Sequence, residues 1–421
     1  MTVSPTVSEN WLQRALAIFT MALMLATAPL WLLGPDQLVQ IPWWSFLCDV
    51  PGWVDHLALG AVCFGCVTKL IGRGSLNLRW SGDLAYVLGL GVLISLDQHR
   101  MQPWAWQFLI VGLLTVISPP KLLFPCWRWV IVSIYFWSAI SKFDASFMNS
   151  HGQLLLNGML EPLGVDTAFW SEESRRRLAG LFPVGELLTA LLLLPRQTRP
   201  FGLAASIVMH LLLIWTLGYG LKHEWGVVLW NLFFIVQNLL VFGPASWKPA
   251  SRPVLPASLS FGESRQARST IMYTIIVIFY PFLETGGYCD HWPAWAVYCS
   301  RPAQVKILIP EEDAQQLPEE LRRFLGSPEP LDDRVPLNLD AWSYARTHAP
   351  VYPQLRYRLF LAHALLAPHL PNAAITVQAA LTPDRQTGDR TLLRLHGMQT
   401  LRHECRKFHV NHRPRGPSAE Q

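Results

Sequence analysis

Nine stretches of this chain are apolar over lengths that approach a bilayer span, near residues 11–33, 53–71, 81–97, 104–118, 127–143, 181–195, 200–219, 224–243 and 270–288. A hydrocarbon core about 30 Å thick is crossed by about 20 apolar residues in helical form, since every backbone polar group must be satisfied within the segment. Only 15% of the 421 residues are charged, 51% are hydrophobic and the mean hydropathy is +0.25, values outside the range of ordinary soluble enzymes. The pattern predicts an α-helical polytopic membrane bundle of about nine transmembrane helices in contact with the lipid bilayer. The net charge of +5 does not point to nucleic acid, because the basic residues fall in short loops between apolar runs and no nucleic-acid module is visible. Tryptophans flank the runs (Trp11, Trp31, Trp43, Trp44, Trp53, Trp80, Trp104, Trp127, Trp129), as an interfacial belt requires.

Loop charge orients the bundle. Lys69, Arg73 and Arg79, then Lys121 and Arg128, then Arg196 and Arg199, then Lys248, Arg252, Arg265 and Arg268 make alternate loops basic, while the loop around Asp36 and Asp49 holds no Lys or Arg. The positive-inside rule then predicts a plasma (inner) membrane protein with a cytoplasmic N-terminus and an extracytoplasmic C-terminal domain. Arg175, Arg176 and Arg177 run against this, and a surface-lying amphipathic helix with Glu172 and Glu173 accounts for them. Ala26-Thr27-Ala28 has the form of a signal cleavage site, but Pro29 and the length of the run favour a retained span.

The domain reading is a transmembrane domain over 1–300, a small soluble α+β domain over 301–400 and a basic, His-rich flexible tail over 401–421. Residues 244–269 read as a Pro/Ser-rich inner linker. Strands are predicted at 305–309, 374–381 and 390–395, and helical spacing at 313–325 and 354–368.

Chemistry concentrates in a few intramembrane ionisable groups, which are costly in hydrocarbon and for that reason mark candidate sites. Lys142 and Asp144 close the apolar run at 127–143; Lys142 is either a working group or a lysine that snorkels to the headgroups. Glu186 and His210 flank the Arg196–Arg199 turn at similar depth, so the spacing allows them to hydrogen-bond, as a proton-handling pair or as packing between two helices. Asp97 with Arg100, His223 with Glu224, and Glu284 join Lys142 and Asp144 at the outer helix ends, where a converging bundle would gather them into a polar vestibule. Cys289 and Cys299 fall on the predicted outer side, ten residues apart, and are expected to form a disulfide. Cys63 and Cys66 on an apolar helix read as core residues, and His403, Cys405, His409 and His412 lack a compact frame, so no metal is expected. There is no Walker loop, no G-x-G-x-x-G after a strand and no G-x-S-x-G.

The order Tyr135-Phe136-Trp137-Ser138-Ala139-Ile140-Ser141-Lys142-Phe143-Asp144-Ala145, followed by Glu186, the Arg-Gln-Thr-Arg loop at 196–199 and His210, resembles the HTTM (horizontally transferred transmembrane) family, as does Asp97-Gln98 before Gln102-Pro103-Trp104. That family includes the vitamin K-dependent gamma-glutamyl carboxylases. The resemblance implies a reduced quinone of the vitamin K hydroquinone type as cofactor and Lys142 as the base that deprotonates it. Asp97, Asp144, Glu186, His210, His223 and Glu224 would surround quinone or substrate, and a secreted protein would be carboxylated at the outer face. The carboxylases carry a histidine where this chain has Trp104. The alternative is a non-enzymatic membrane protein that binds quinone, lipid or a partner protein.

Overall fold

The structure, a computed structural model, describes residues 7–32, 38–71, 76–244, 261–328 and 333–415. Most of the linker expected at 244–269 lies outside them, as do Asp36, Arg73, Lys248 and Arg252, which entered the loop-charge argument. The chain divides into two compact units, one of residues 1–26, 60–90 and 103–300, the other of residues 27–59, 91–102 and 301–421.

Helices occupy each of the nine expected stretches. Five of them combine the length and apolarity needed to cross a membrane: Trp53–Ile71, Pro120–Ile140, Arg199–Gly220, Trp225–Phe242 and Arg265–Gly286. This is an integral membrane protein. The other stretches fall short for visible reasons. Val7–Ala26 carries Glu9, Asn10, Gln13 and Arg14 in its first two turns, and Leu76–Leu96 carries Arg79 and Asp83. Leu181–Leu193 and Pro103–Ile117 hold 13 and 15 residues. Among the described residues, five of the nine expected spans thus qualify by length and composition.

Within the first unit, proline sets several helix starts. Pro103 and Pro120 stand at first-turn positions, where the missing N–H removes nothing from the helix and the fixed φ favours it. The helix at Arg199–Leu213 continues as a π-helix over Ile214–Gly220. This wider turn brings Gly220 against the backbone of Gly158, where a Cβ would overlap the Gly158 carbonyl, so only glycine fits the contact. The Trp belt is only partly interfacial: Trp11, Trp44, Trp53, Trp80 and Trp129 are exposed, whereas Trp31, Trp104 and Trp127 are buried. Trp127 is buried because its indole N–H donates to Gln237 Oε1 at 3.3 Å, which removes the polar edge that would hold it at headgroups.

The second unit contains a four-stranded antiparallel sheet of β1 (Gln304–Pro310), β2 (Arg334–Leu337), β3 (Thr376–Ala380) and β4 (Leu392–His396), in the order β2-β1-β3-β4. Its core sets Ile307, Ile309, Val335, Val377 and Ala379 with Leu359 and Phe360 of the Leu355–Leu366 helix. Sequence periodicity did not mark β2 or the helix Leu339–Thr347, since four residues containing a proline carry no alternation signal.

The basic tail is a correction. Met398–Cys405 is a helix, and the chain beyond it to Arg415 is held in place. Asn411 N–H donates to Trp43 O at 3.2 Å, Gln98 Nε2 donates to Asn411 O at 3.1 Å, and Arg415 donates to Val50 O and Pro51 O at 2.8 Å each. Asp55, 1% exposed, accepts from Arg100 at 2.5 Å and also from Arg415. One carboxylate thus pairs with two guanidiniums, one oxygen to each, and Arg100 is fully buried with further bonds to Leu30 O and Leu93 O. Asp55→Ala removes that carboxylate and is expected to destabilise the protein by about 3–5 kcal/mol, the usual penalty for stranding a buried charge. Thermal melts in detergent followed by tryptophan fluorescence measure it, and an unchanged melting temperature contradicts it.

Candidate functional site

The intramembrane polar residues of the first unit converge on a cavity of about 70 Å³. Its walls include Tyr135, Ser138 and Lys142 at the end of the Pro120–Ile140 helix, Glu186, His210, and Asn231 of the Trp225–Phe242 helix. Trp230, Phe234 and Trp295 supply aromatic surface. A volume several times the roughly 10–15 Å³ that admits one water leaves room for a small ring.

Lys142 does not snorkel. Its side chain is 4% exposed, and Nζ lies 3.0 Å from both Glu186 carboxylate oxygens, 2.6 Å from Ser138 Oγ and 3.2 Å from Ser138 O. An ammonium has three donors, and these acceptors engage all of them. The apolar surroundings give each charge one way to be tolerated, through the other.

Beside this pair runs a hydrogen-bonded relay. Asn238 Nδ2 donates to the Tyr135 hydroxyl at 2.6 Å, and that hydroxyl donates to His210 Nε2 at 2.7 Å. His210 Nδ1 then donates to Asn231 Oδ1 at 2.8 Å, and Asn231 Nδ2 donates to Val227 O at 2.9 Å. The directions follow from the amide: Asn231 Nδ2 is a donor, so its Oδ1 accepts, which places the imidazole proton on Nδ1 and leaves Nε2 to accept from Tyr135. His210 also stacks on Phe234 at 4.7 Å. Deeper, Gln237 Oε1 accepts from Gln107 and Trp127, and Gln107 Oε1 from Trp230 at 2.8 Å.

Of the residues expected to form a site, Lys142, Glu186 and His210 line the cavity together, but Glu186 and His210 do not bond to one another: each has a different partner. Asp144 caps the short helix Ala145–Asn149, accepting from Phe147 N at 2.6 Å. Asp97 belongs to the second unit, where Oδ1 accepts from His99 N at 3.1 Å and Ile41 N at 3.3 Å. Glu224 stands at the start of the Trp225–Phe242 helix, and His223 packs edge-on against Tyr298 at 5.8 Å. Burial lowers the His223 pKa, with Glu224 opposing. Glu284 pairs with His291 at 3.1 Å. Cys289 Sγ is directed at Tyr280 O and Cys299 Sγ at Ala296 O, and the expected disulfide between them is not formed, since nearness in sequence does not by itself supply the geometry a disulfide needs. Tyr135, Asn231 and Asn238 were missed by sequence reading. Polar residues of i, i+4 or wider spacing on otherwise apolar helices were the available signal.

The Asp97 neighbourhood has a pH signature of its own. Burial pushes the Asp97 carboxyl up to about 6 against the pull of Arg100, and pushes the His99 imidazole down to about 4 against its bond to Pro350 O. A raised carboxyl binds its proton more readily when folded, so its contribution to stability grows as pH falls through about 6. A lowered imidazole acts oppositely, its contribution being complete above 6.5 and lost as pH falls toward about 4. His99→Gln removes the second effect. The variant is expected to gain stability relative to the parent on acidification from neutral pH toward 4.5, measured by fluorescence melts at constant ionic strength; parallel pH profiles contradict this.

Residues 120–228 match the family described as Methylamine utilisation protein MauE, a stretch well short of half the chain. No curated protein and no solved structure matches. The match is not to the HTTM family and overturns that resemblance and the relationship to the gamma-glutamyl carboxylases; the role of Lys142 as hydroquinone base and the secreted glutamyl substrate were implied by that resemblance alone and gain no support from the match. The short motifs that carried the resemblance are a lysine after an aromatic helix and polar residues on the following hairpin, features that any bundle with one buried ion pair can share. The matched stretch holds Tyr135, Ser138, Lys142, Glu186 and His210.

Proposed function

We propose that this integral membrane protein binds an amphipathic ligand with a small hydrogen-bonding ring head, of the quinone class, in the cavity between Lys142 and His210. The observation that carries the reading is that an ion pair and a tyrosine–histidine–asparagine relay border one apolar, aromatic-walled space inside a membrane-spanning helix set. Buried charges retained in hydrocarbon cost several kcal/mol relative to apolar side chains, and such residues ordinarily serve a ligand or ion path. The residues fit a quinone head in kind. Ser138, whose Oγ accepts from Lys142 and keeps its own hydrogen, supplies a donor for a quinone oxygen beside the Lys142 charge, and Trp230 and Phe234 supply flat apolar walls for a ring. Bound there, a quinone would add two-electron redox chemistry; the chain's own contribution is to orient the head and exclude water. That the family match falls on the stretch bearing these residues supports treating the cavity as the functional part.

Purified protein in nanodiscs, titrated with a short-tailed quinone, is expected to show saturable quenching of tryptophan fluorescence, since Trp230 and Trp295 border the cavity. Ser138→Ala, which removes the hydroxyl donor, should weaken binding by about tenfold, the value of one hydrogen bond to a polar or charged group. Absence of saturable quenching in the parent protein overturns the proposal.

We also infer the orientation from loop charge. Lys69 with Arg79, and Lys121 with Arg128, mark the cytoplasmic side and place the N-terminus there and the C-terminus outside. A reporter active only in the cytoplasm, fused after Gln421, should be inactive, and activity reverses the assignment.

A further inference from the structure

A second cavity lies at the other end of the same helices, and its lining is charged. The Pro120–Ile140 helix ends near Lys142, whereas this cavity touches Pro120 and Leu123 at its start, about 30 Å away at 1.5 Å per residue. Its volume is about 160 Å³. Glu9 from the first turn of Val7–Ala26, Lys69 from the last turn of Trp53–Ile71, and Arg79 and Asp83 from the start of Leu76–Leu96 face it, along with Ser118. Two cations and two carboxylates thus meet in one space.

The charges are not all used internally. Lys69 pairs with Asp83 and donates to Gln13 Oε1 at 3.0 Å. Arg79 makes no ion pair among the described residues, and its Nε is buried without a hydrogen-bond partner. Ser118 Oγ is likewise buried and unpartnered. A guanidinium held in this way needs an anion, and its flat fork matches phosphate oxygens. The hydroxyl of Ser118 offers one more donor. A simple anion would also meet Glu9 and Asp83 across the cavity. A ligand that carries its own cation turns those carboxylates into partners. The helix ends here bear exposed Trp11, Ile71, Leu78 and Trp80, the amphipathic and apolar surface expected at the headgroup level of a bilayer, where acyl chains continue alongside.

We propose that this cavity binds a phosphate diester joined to a primary amine, supplied by the bilayer as phosphatidylethanolamine. Arg79 and Ser118 hold the phosphate, and Asp83 and Glu9 accept from the ammonium. The site is independent of the quinone-class cavity and stands if that reading fails.

Native mass spectrometry of the purified full chain, with equal amounts of phosphatidylethanolamine, phosphatidylcholine and phosphatidylglycerol added, tests it. Phosphatidylcholine keeps the phosphate but has no N–H, and phosphatidylglycerol keeps the phosphate but has no cation. The expected result is about tenfold enrichment of phosphatidylethanolamine over both, the worth of a charge-assisted hydrogen bond. Arg79→Gln should abolish the enrichment; because Arg79 forms no internal ion pair among the described residues, this variant is expected to fold, with an unchanged melting temperature as the control. Asp83→Asn should bring phosphatidylethanolamine and phosphatidylcholine to parity. Equal binding of those two lipids by the parent, preference for phosphatidylglycerol, or enrichment that survives Arg79→Gln overturns the proposal. Displacement of the lipid by equimolar soluble glycerophosphoethanolamine overturns the bilayer as its source.

Discussion

The Lys142–Glu186 pair is the constraint on which the interior of the helical unit depends. In hydrocarbon neither charge has water to fall back on, so each is tolerable only while the other stays at hydrogen-bond distance, and that fixes the Pro120–Ile140 and Leu181–Leu193 helices relative to one another. Ser138, one helical turn before Lys142, takes up the remaining ammonium donor, and a single rotamer follows. What remains beside this clamp is a space with polar groups on one wall and aromatic rings on the other.

The relay from Asn238 through Tyr135 and His210 to Asn231 repeats the argument with neutral groups. Helices in a membrane gain little from burying apolar surface against one another, so hydrogen bonds between polar side chains set their register. Each bond in the chain runs between different helices, and Gln107, Gln237, Trp127 and Trp230 form a similar cross-connection. Polar residues that bind helices together also leave donors and acceptors beside the cavity. The side chains that set helix register therefore also border the cavity, and the π-helical turn at Ile214–Gly220, whose Leu217 lines it, is an irregular backbone of the kind often found at functional sites.

In the second unit the organising charge is Asp55. It joins Arg100, which follows the Leu76–Leu96 helix, to Arg415, near the end of the described chain. Segments far apart in sequence are thereby tied into the unit that contains the sheet, and the His-rich stretch that composition marks as a free tail becomes one of its packed parts. His412 lies against Phe360, and Cys405 is buried, where the loss of solvation pushes its thiol up to about 12.

By itself the sequence determined that the protein is a membrane-embedded helical bundle with a small α+β portion, because helix length and apolarity are local properties that a bilayer reads directly. It also marked Lys142, Glu186 and His210, since an ionisable residue in an apolar run is conspicuous wherever it points. Pairing was decided only by the tertiary structure. Depth along two helices put Glu186 opposite His210, but side-chain direction and helix rotation, which sequence spacing does not encode, gave Glu186 to Lys142 and His210 to Tyr135 and Asn231. For the same reason Asp97 and Asp144 proved to be cap residues, Cys289 and Cys299 stayed apart, and the four residues of β2 emerged only when β1 was there to pair with them. A partner chosen across the fold depends on contacts between distant segments, and those exist only once the chain has packed.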